Sequence, residues 1–114
     1  MQSVLFTKTF MRQAAECGLE DEDLQEIAAV IARDPTEGDL IRGTGGARKL
    51  RHALRGKGKS GGLRTIHYFG GIDTPVFVLA VYSKNRQADI SSEDRSALTK
   101  LLPQIVENYR KKLK

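Results

Sequence analysis

Three strand-like segments follow one another within the stretch Arg48–Tyr82, whose sequence is RKLRHALRGKGKSGGLRTIHYFGGIDTPVFVLAVY. The first, Arg48–Arg51, fits a period of two that places Lys49 and Arg51 on one face and the apolar Leu50 on the other. The second, Leu63–Phe69, is rich in the β-branched and aromatic residues that favour strands. The third, Val76–Tyr82, is almost uniformly apolar, which indicates a central strand covered on at least one side. The glycine-rich connections between them predict a meander of consecutive antiparallel strands.

Side-chain alternation along this meander places positive charges on one face of the predicted sheet. Because successive side chains point to opposite faces, Lys49 and Arg51 share a face. Pairing of the first two strands then brings Arg64 beside them, whereas a register slip of one residue would reverse either set. The same alternation puts His67 opposite Arg64 and His52 opposite the two cations, so we interpret both histidines as packed or hydrogen-bonded side chains.

Helical patterns flank the meander. An apolar run at Ser3–Phe6 predicts an edge strand, and a helix is expected between Thr7 and Gly18. A second helix begins with Asp21 as its cap and ends at Asp34, which precedes a proline.

The last element is an amphipathic helix that begins at Ser91 or Ser92 and ends in basic residues. Pro103 should kink this helix or start a second helical piece. The order strand, helix, helix, three strands, helix predicts an α+β fold with a small, mainly antiparallel sheet and helices packed on one face. We expect residues 1–114 to form a single domain.

The charge along the chain is sharply divided. The range Leu40–Ile72 contains eight Lys and Arg, no Asp or Glu, and nine of the eleven glycines. The preceding range Glu16–Asp39 contains nine acidic residues and one arginine. Glycine lets backbone N–H groups approach an anion, and crowded cations repel one another unless an anion lies among them. One face is therefore expected to meet a nucleic-acid backbone, while the acidic block is chiefly the solvated face of the second helix.

Composition excludes several classes of protein. A pI near 9.6 and a hydrophobic fraction of 39% indicate a globular protein with polyanionic partners. No run of residues is long and apolar enough to span a membrane, and the N-terminus lacks a signal-peptide pattern, so we expect a cytosolic protein. Cys17 is the only cysteine, and the two histidines lie far from it, so no metal site and no cofactor are expected.

Three motifs suggest a family. They are GTGGARKLR at 43–51, GKGKSGGLR at 56–64 and YSKNRQADIS at 82–91, followed by the amphipathic helix. In this order the chain resembles the RelE-like toxins of type II toxin–antitoxin modules, and within the RelE/ParE superfamily the HigB branch. The resemblance implies a microbial-RNase-like fold and metal-independent, ribosome-dependent cleavage of mRNA in the A site. It also implies inhibition of translation and neutralisation by a cognate HigA-like helix-turn-helix antitoxin.

The resemblance also implies the residues of the site. The candidate catalytic residues are Arg64, Lys84, Lys49 and Arg51. Asn85 is a candidate RNA- or ribosome-binding residue from the same resemblance, and the positive charge of the stretch adds Arg48, Arg55, Lys57 and Lys59 as further candidates. The chain departs from the best-known relatives at Asn85, where they carry arginine, and at Ser91, where they carry tyrosine.

The chemistry of such a site assigns roles to these side chains. Arg64 is expected to bind the phosphate oxygens in the transition state, with Arg51 in support, because guanidinium groups match phosphate bidentately. Lys49 or Lys84 is the candidate general base, because like charges nearby lower the pKa of a lysine.

Two other functions stay open at this stage. A ParE-like toxin that poisons DNA gyrase shares the fold, and a nonenzymatic RNA-binding module would carry the same basic charge. The basic residues on paired strands favour the ribonuclease over the gyrase poison, because gyrase poisons of this fold tend to lack the catalytic set.

Overall fold

The computed structural model describes residues 2–53, 62–83 and 91–112 of the 114-residue chain. In chain order the elements are β1 (Val4–Phe6), α1 (Lys8–Glu16), α2 (Asp21–Arg33), β2 (Asp39–Leu40), β3 (Arg48–His52), β4 (Leu63–Phe69), β5 (Val76–Ser83) and α3 (Ser92–Lys112). The fold is α+β, as predicted. Within the described residues, no helix combines the length and apolarity that a membrane crossing requires.

The strands form one sheet in the order β1-β5-β4-β3-β2. The meander β3-β4-β5 is antiparallel, and β1 lies at an edge of the sheet, both as predicted. β1 pairs with β5 in the parallel sense. Parallel strands require a crossover connection, and the elements between β1 and β5 provide it here. β2 is a two-residue strand at the other edge that the sequence pattern did not predict.

Helices cover both faces of the sheet, so the prediction that they pack on one face is wrong. On one face, Val76 and Val78 of β5 pack in a core with Phe10 of α1 and Ile27 of α2. We call this the α1/α2 face. On the opposite face, Ile66, Phe77 and Leu79 share a second core with Leu102 and Val106 of α3. We call this the α3 face. The physical reason is that β5 is apolar at nearly every position, so both of its sides need cover.

A β-bulge in β5 changes which residues share a face. Ile66 pairs with Ala80, but the next residue of β4, His67, pairs with Val78, so the register skips Leu79. A bulge inserts one residue and reverses the alternation beyond it. Tyr82 consequently lies on the α3 face, whereas plain alternation from Val78 would have placed it on the other.

The helices begin and end at specific side chains. The Thr7 hydroxyl accepts a hydrogen bond from the Phe10 N–H at 3.1 Å and caps α1. α2 begins after Glu20, whose N–H donates to the Asp23 carboxylate at 2.8 Å, so Asp21 is the first helical residue and not the predicted cap. α3 runs through Pro103 as one helix, and the predicted second helical piece does not form.

The loop before β3 is closed on itself and fastened to α3. Thr44 is fully buried, and its hydroxyl donates to the Ile41 carbonyl at 2.7 Å and accepts from the Ala47 N–H at 3.1 Å. The Thr99 hydroxyl of α3 donates to the Gly43 carbonyl at 2.5 Å. These bonds set the point at which the chain enters β3, and therefore the position of the cations on that strand.

Candidate functional site

The strand register brings three of the predicted catalytic residues to one face. Arg51 is the Cα partner of Arg64, and Lys49 is the partner of Ile66. Directly paired residues of an antiparallel sheet project to the same side, with Cβ atoms roughly 5 Å apart. Ile66 belongs to the core under α3, so this side is the α3 face. We call Lys49, Arg51 and Arg64 the basic patch, and its common face is the one that alternation predicted.

The three cations differ in their exposure to solvent. Arg51 is exposed, Lys49 is half-buried, and Arg64 on the central strand β4 is 8% exposed. Like charges directly opposite each other in a strand pair repel, and an anion bound by both guanidinium groups would offset that repulsion. A guanidinium shielded from water also interacts more strongly with an anion. The arrangement is thus suited to binding a phosphate group.

Arg48, the predicted RNA-binding residue on the same strand, lies apart from the basic patch. Its Cα partner is His67 on the α1/α2 face. Its Nη1 atom donates to the Gly38 carbonyl at 3.0 Å, which ties β3 to the turn before β2. The structure therefore gives Arg48 a bond within the fold and does not bring it to the other candidate residues.

Five predicted site residues lie outside the described part of the chain, so the structure gives no placement for them. They are Arg55, Lys57, Lys59, Lys84 and Asn85.

Both histidines lie on the α1/α2 face, as alternation predicted. The Nε2 atom of His52 is 2.8 Å from the Thr65 hydroxyl. His67 is fully buried, and its Nε2 atom is 3.0 Å from the Pro35 carbonyl, which can only accept, so Nε2 carries the proton. Burial, with a smaller effect of His67, lowers the pKa of His52 from 6.5 to about 4. Burial likewise lowers the pKa of His67. Both rings are neutral at pH 7 and face away from the basic patch.

An open cleft of about 380 Å³ lies beside the basic patch on the α3 face, and sequence reasoning did not find it. Tyr82, which lines the cleft, is the Cα partner of Arg64. The Tyr82 side chain is 8% exposed and belongs to the core under α3. No sequence signal revealed its place beside Arg64, since the bulge sets it.

Metal-ligating side chains do not cluster in this region. Across residues 2–53, 62–83 and 91–112, no group of three or more His, Cys, Asp or Glu side chains is arranged to hold a metal ion. Cys17 is half-buried at the C-cap of α1.

Comparison with known proteins agrees with the fold and identifies the family. The sequence model of a family described as "RelE toxin of RelE / RelB toxin-antitoxin system" matches residues 2–114. Among solved structures, the E. coli toxin RelE, in a mutant with two arginine-to-alanine substitutions and in the free state, has a similar fold. The TM-score is 0.51 at 20% sequence identity, over 76% of this chain and 87% of that chain. Because the family match spans nearly the whole sequence, the chain belongs to the RelE toxin family of toxin–antitoxin systems, in which a cognate antitoxin is the toxin's partner.

Proposed function

We propose that this toxin is a ribosome-dependent, metal-independent endoribonuclease of the HigB branch, which cleaves mRNA in the ribosomal A site and thereby inhibits translation. A HigA-like helix-turn-helix antitoxin neutralises it. The observation that supports the proposal most directly is the Arg51–Arg64 pairing on the α3 face, near one end of β3 and β4. Two guanidinium groups that share a face at neighbouring positions can bind one phosphate together.

The reaction requires the RNA's own 2′-hydroxyl as nucleophile. Its oxygen forms a bond to the adjacent phosphorus while the bond from phosphorus to the 5′-oxygen breaks, which yields a 2′,3′-cyclic phosphate and a 5′-hydroxyl. Negative charge builds up on the nonbridging phosphate oxygens in the transition state, and donors positioned there in advance stabilise it. Arg64, shielded from water, is assigned to those oxygens, and the exposed Arg51 first attracts the phosphate and then supports it.

Two proton transfers complete the reaction. A base accepts the proton of the 2′-hydroxyl, and an acid donates one to the leaving 5′-oxygen. Among the residues that the structure describes, Lys49 is the candidate for a proton transfer. Its Cα partner Ile66 lies two residues from Arg64 on the same face of β4. Lys84 is the second candidate. His52 and His67 have no part in these transfers, since both face the opposite core.

The decisive experiment compares wild type with Arg64→Ala and with Arg12→Ala. Arg12 is an exposed arginine on α1, so its replacement changes the net charge equally without touching the basic patch. We expect wild type and Arg12→Ala to arrest growth and to produce new 5′-hydroxyl ends within translated messages. Arg64→Ala should cleave about 100- to 1000-fold more slowly, as when one donor to a transition-state oxyanion is removed. Circular dichroism of the purified variants checks that each is folded.

Two results would contradict the proposal. Growth arrest with intact messages and accumulating DNA breaks would indicate a gyrase poison. A chain that is not toxic, and that binds RNA without cutting it, would be a nonenzymatic RNA-binding module.

A further inference from the structure

The cleft beside the basic patch has the size and lining of a small-ligand site. Its volume is about 380 Å³, near the lower end of the roughly 300–1000 Å³ typical of small-molecule pockets. Ile66, Ala80 and Tyr82 of the sheet form its floor, and Leu98 and Leu101 of α3 form a wall. This volume is large enough for a ring system of the size of a nucleobase.

Polar side chains also line the cleft. The Gln13 Oε1 atom accepts from the Val81 N–H at 3.0 Å, which fixes the amide, and the same amide carries a donor at Nε2. Asp94 supplies a carboxylate acceptor from the first turn of α3, and its own N–H donates to the Ser91 hydroxyl at 3.1 Å. A donor and an acceptor beside apolar walls form the pattern that binds the polar edge and the flat faces of a nucleobase.

Two residues that line the cleft are strand neighbours of the basic patch, because Tyr82 is the Cα partner of Arg64 and Ile66 that of Lys49. Arg64 is paired with Arg51 on one side and with Tyr82 on the other. The row across the three strands thus passes from an exposed cation to a shielded cation to an aromatic ring. A nucleotide carries the matching sequence of groups, with a phosphate joined through a sugar to an aromatic base. An apolar side chain of the antitoxin would fill the cleft without contacting the arginines. The row of two cations and an aromatic ring therefore favours RNA as the ligand.

We infer that this cleft holds one nucleobase of the RNA next to the phosphate bound by Arg51 and Arg64. Tyr82 provides the surface against which the base packs, and Gln13 and Asp94 contact its polar edge, so that Asp94 determines base preference at one position of the substrate. The inference rests on the proposed function, because it assigns a subsite to that RNA-binding surface.

The first test measures binding without cleavage. The purified toxin is titrated with each nucleoside 3′-monophosphate in turn while the methyl resonances of Ile66, Leu98 and Leu101 are followed by NMR. We expect saturable shifts whose affinity differs among the four bases. Ala97→Trp fills the cleft from an exposed position of α3 that lines it and should weaken binding at least tenfold. Ser96→Trp, at the neighbouring exposed position outside the lining, is the matched control.

The binding result decides the inference whether or not the toxin cuts RNA. Equal shifts with inorganic phosphate would mean that only the arginines bind, and methyl resonances that move with the antitoxin but not with nucleotides would make the cleft a protein-binding site. Either outcome overturns the inference.

The second test compares cleavage maps of wild type, Asp94→Asn and Ala97→Trp on the same translated messages. Asp94→Asn should change the base preferred at one position next to the cut while the enzyme still cleaves. If both variants cut the same sites at the wild-type rate, the nucleobase site is overturned and the ribonuclease stands. If wild type itself cuts nothing, the ribonuclease fails, and the NMR titration still decides whether the cleft binds a base.

Discussion

The pairing of Arg51 with Arg64 is the residue-level feature on which the proposed chemistry depends. A neutral side chain at either position would remove a repulsion between neighbouring strands, so the pair serves the fold poorly. Lys49, two residues before Arg51 on β3, differs from this pair, because its Cα partner on β2 is Asp39, a residue of opposite charge. In the proposed function, the like-charged pair is the part of the ladder that binds the phosphate.

The buried histidines predict a stability that falls in mild acid. The pKa of His52 is about 4 in the folded protein and 6.5 for an unperturbed side chain, so the unfolded chain binds more protons between these values. Stability is therefore complete above pH 6.5 and is lost as the pH falls toward 4. His67, whose pKa is also lowered, acts in the same direction. We expect the free energy of unfolding to be on the order of 2 kcal/mol lower at pH 5 than at pH 7.

Urea denaturation at the two pH values measures this difference. His52→Asn keeps a polar group near Thr65 but cannot be protonated, so it should reduce the difference between the two pH values. Asp34 and Asp73 have pKa values below 3.8, so protonation of their side chains does not enter this range. Equal stability of wild type at both pH values would contradict the assignment of neutral, buried rings.

Alternation alone was enough to predict the faces of the basic patch and of the two histidines, whereas Arg48, a candidate because of its charge, lies on the face opposite the basic patch. Lys49, Arg51 and Arg64 share one face, and His52 and His67 share the other, because no bulge interrupts the pairing of these two strands. The burial of Arg64 was not predictable in this way. It depends on neighbours such as Tyr82 that reach the site from elsewhere in the chain.

At the scale of elements, the turn before β2 holds β3 in place. Gly38 has a φ of +100°, and a Cβ atom there would lie 2.6 Å from the carbonyl oxygen of Lys49. Gly38→Ala therefore combines backbone strain with a clash against the strand that carries the basic patch. We expect a loss of about 2 kcal/mol or more in the free energy of unfolding, together with weaker RNA binding.

Gly18→Ala is the matched control for this prediction. Gly18 has a φ of +74°, but a Cβ atom there would meet nothing within 4 Å, so only backbone strain of about 1 kcal/mol is added. Denaturant titrations and RNA-binding curves of both variants measure the difference. Equal losses of stability in the two variants, with RNA binding intact, would mean that the contact with Lys49 does not matter.

Elements with their own periodicity were predictable, and those made by pairing were not. β4 has the predicted bounds Leu63–Phe69, because its composition and its glycine borders define it locally. β2 was missed since its two residues form a strand only by pairing with β3. The bulge at Leu79 was also missed, because the residues on both sides of it are apolar and the sequence pattern shows no break there. Bulges often lie beside active sites, and this one turns Tyr82 toward Arg64.

At the scale of the whole molecule, the charge asymmetry of the sequence becomes an asymmetry between the two sides of the sheet. The exposed acids Asp21, Glu22 and Glu26 belong to α2, which covers one side, while the basic patch lies on the other. The sequence predicted this separation but not how the chain produces it. Helices on both faces and the parallel closure of β1 on β5 depend on contacts between distant parts of the chain, which local patterns do not encode.

This separation predicts how RNA binding responds to salt. A surface that contacts about 6 phosphates should lose on the order of a thousandfold in affinity between 50 and 200 mM salt, because binding releases condensed counterions. Arg51→Ala should reduce the slope of log Kd against log salt by about 1, since one phosphate contact is lost. Arg12→Ala, on α1 behind the sheet, changes the net charge equally and should leave the slope unchanged. An RNA with a 2′-deoxy nucleotide at the cleavage position allows equilibrium measurement by fluorescence anisotropy. Equal reductions of the slope in both variants would mean that net charge, and not the basic patch, attracts the RNA.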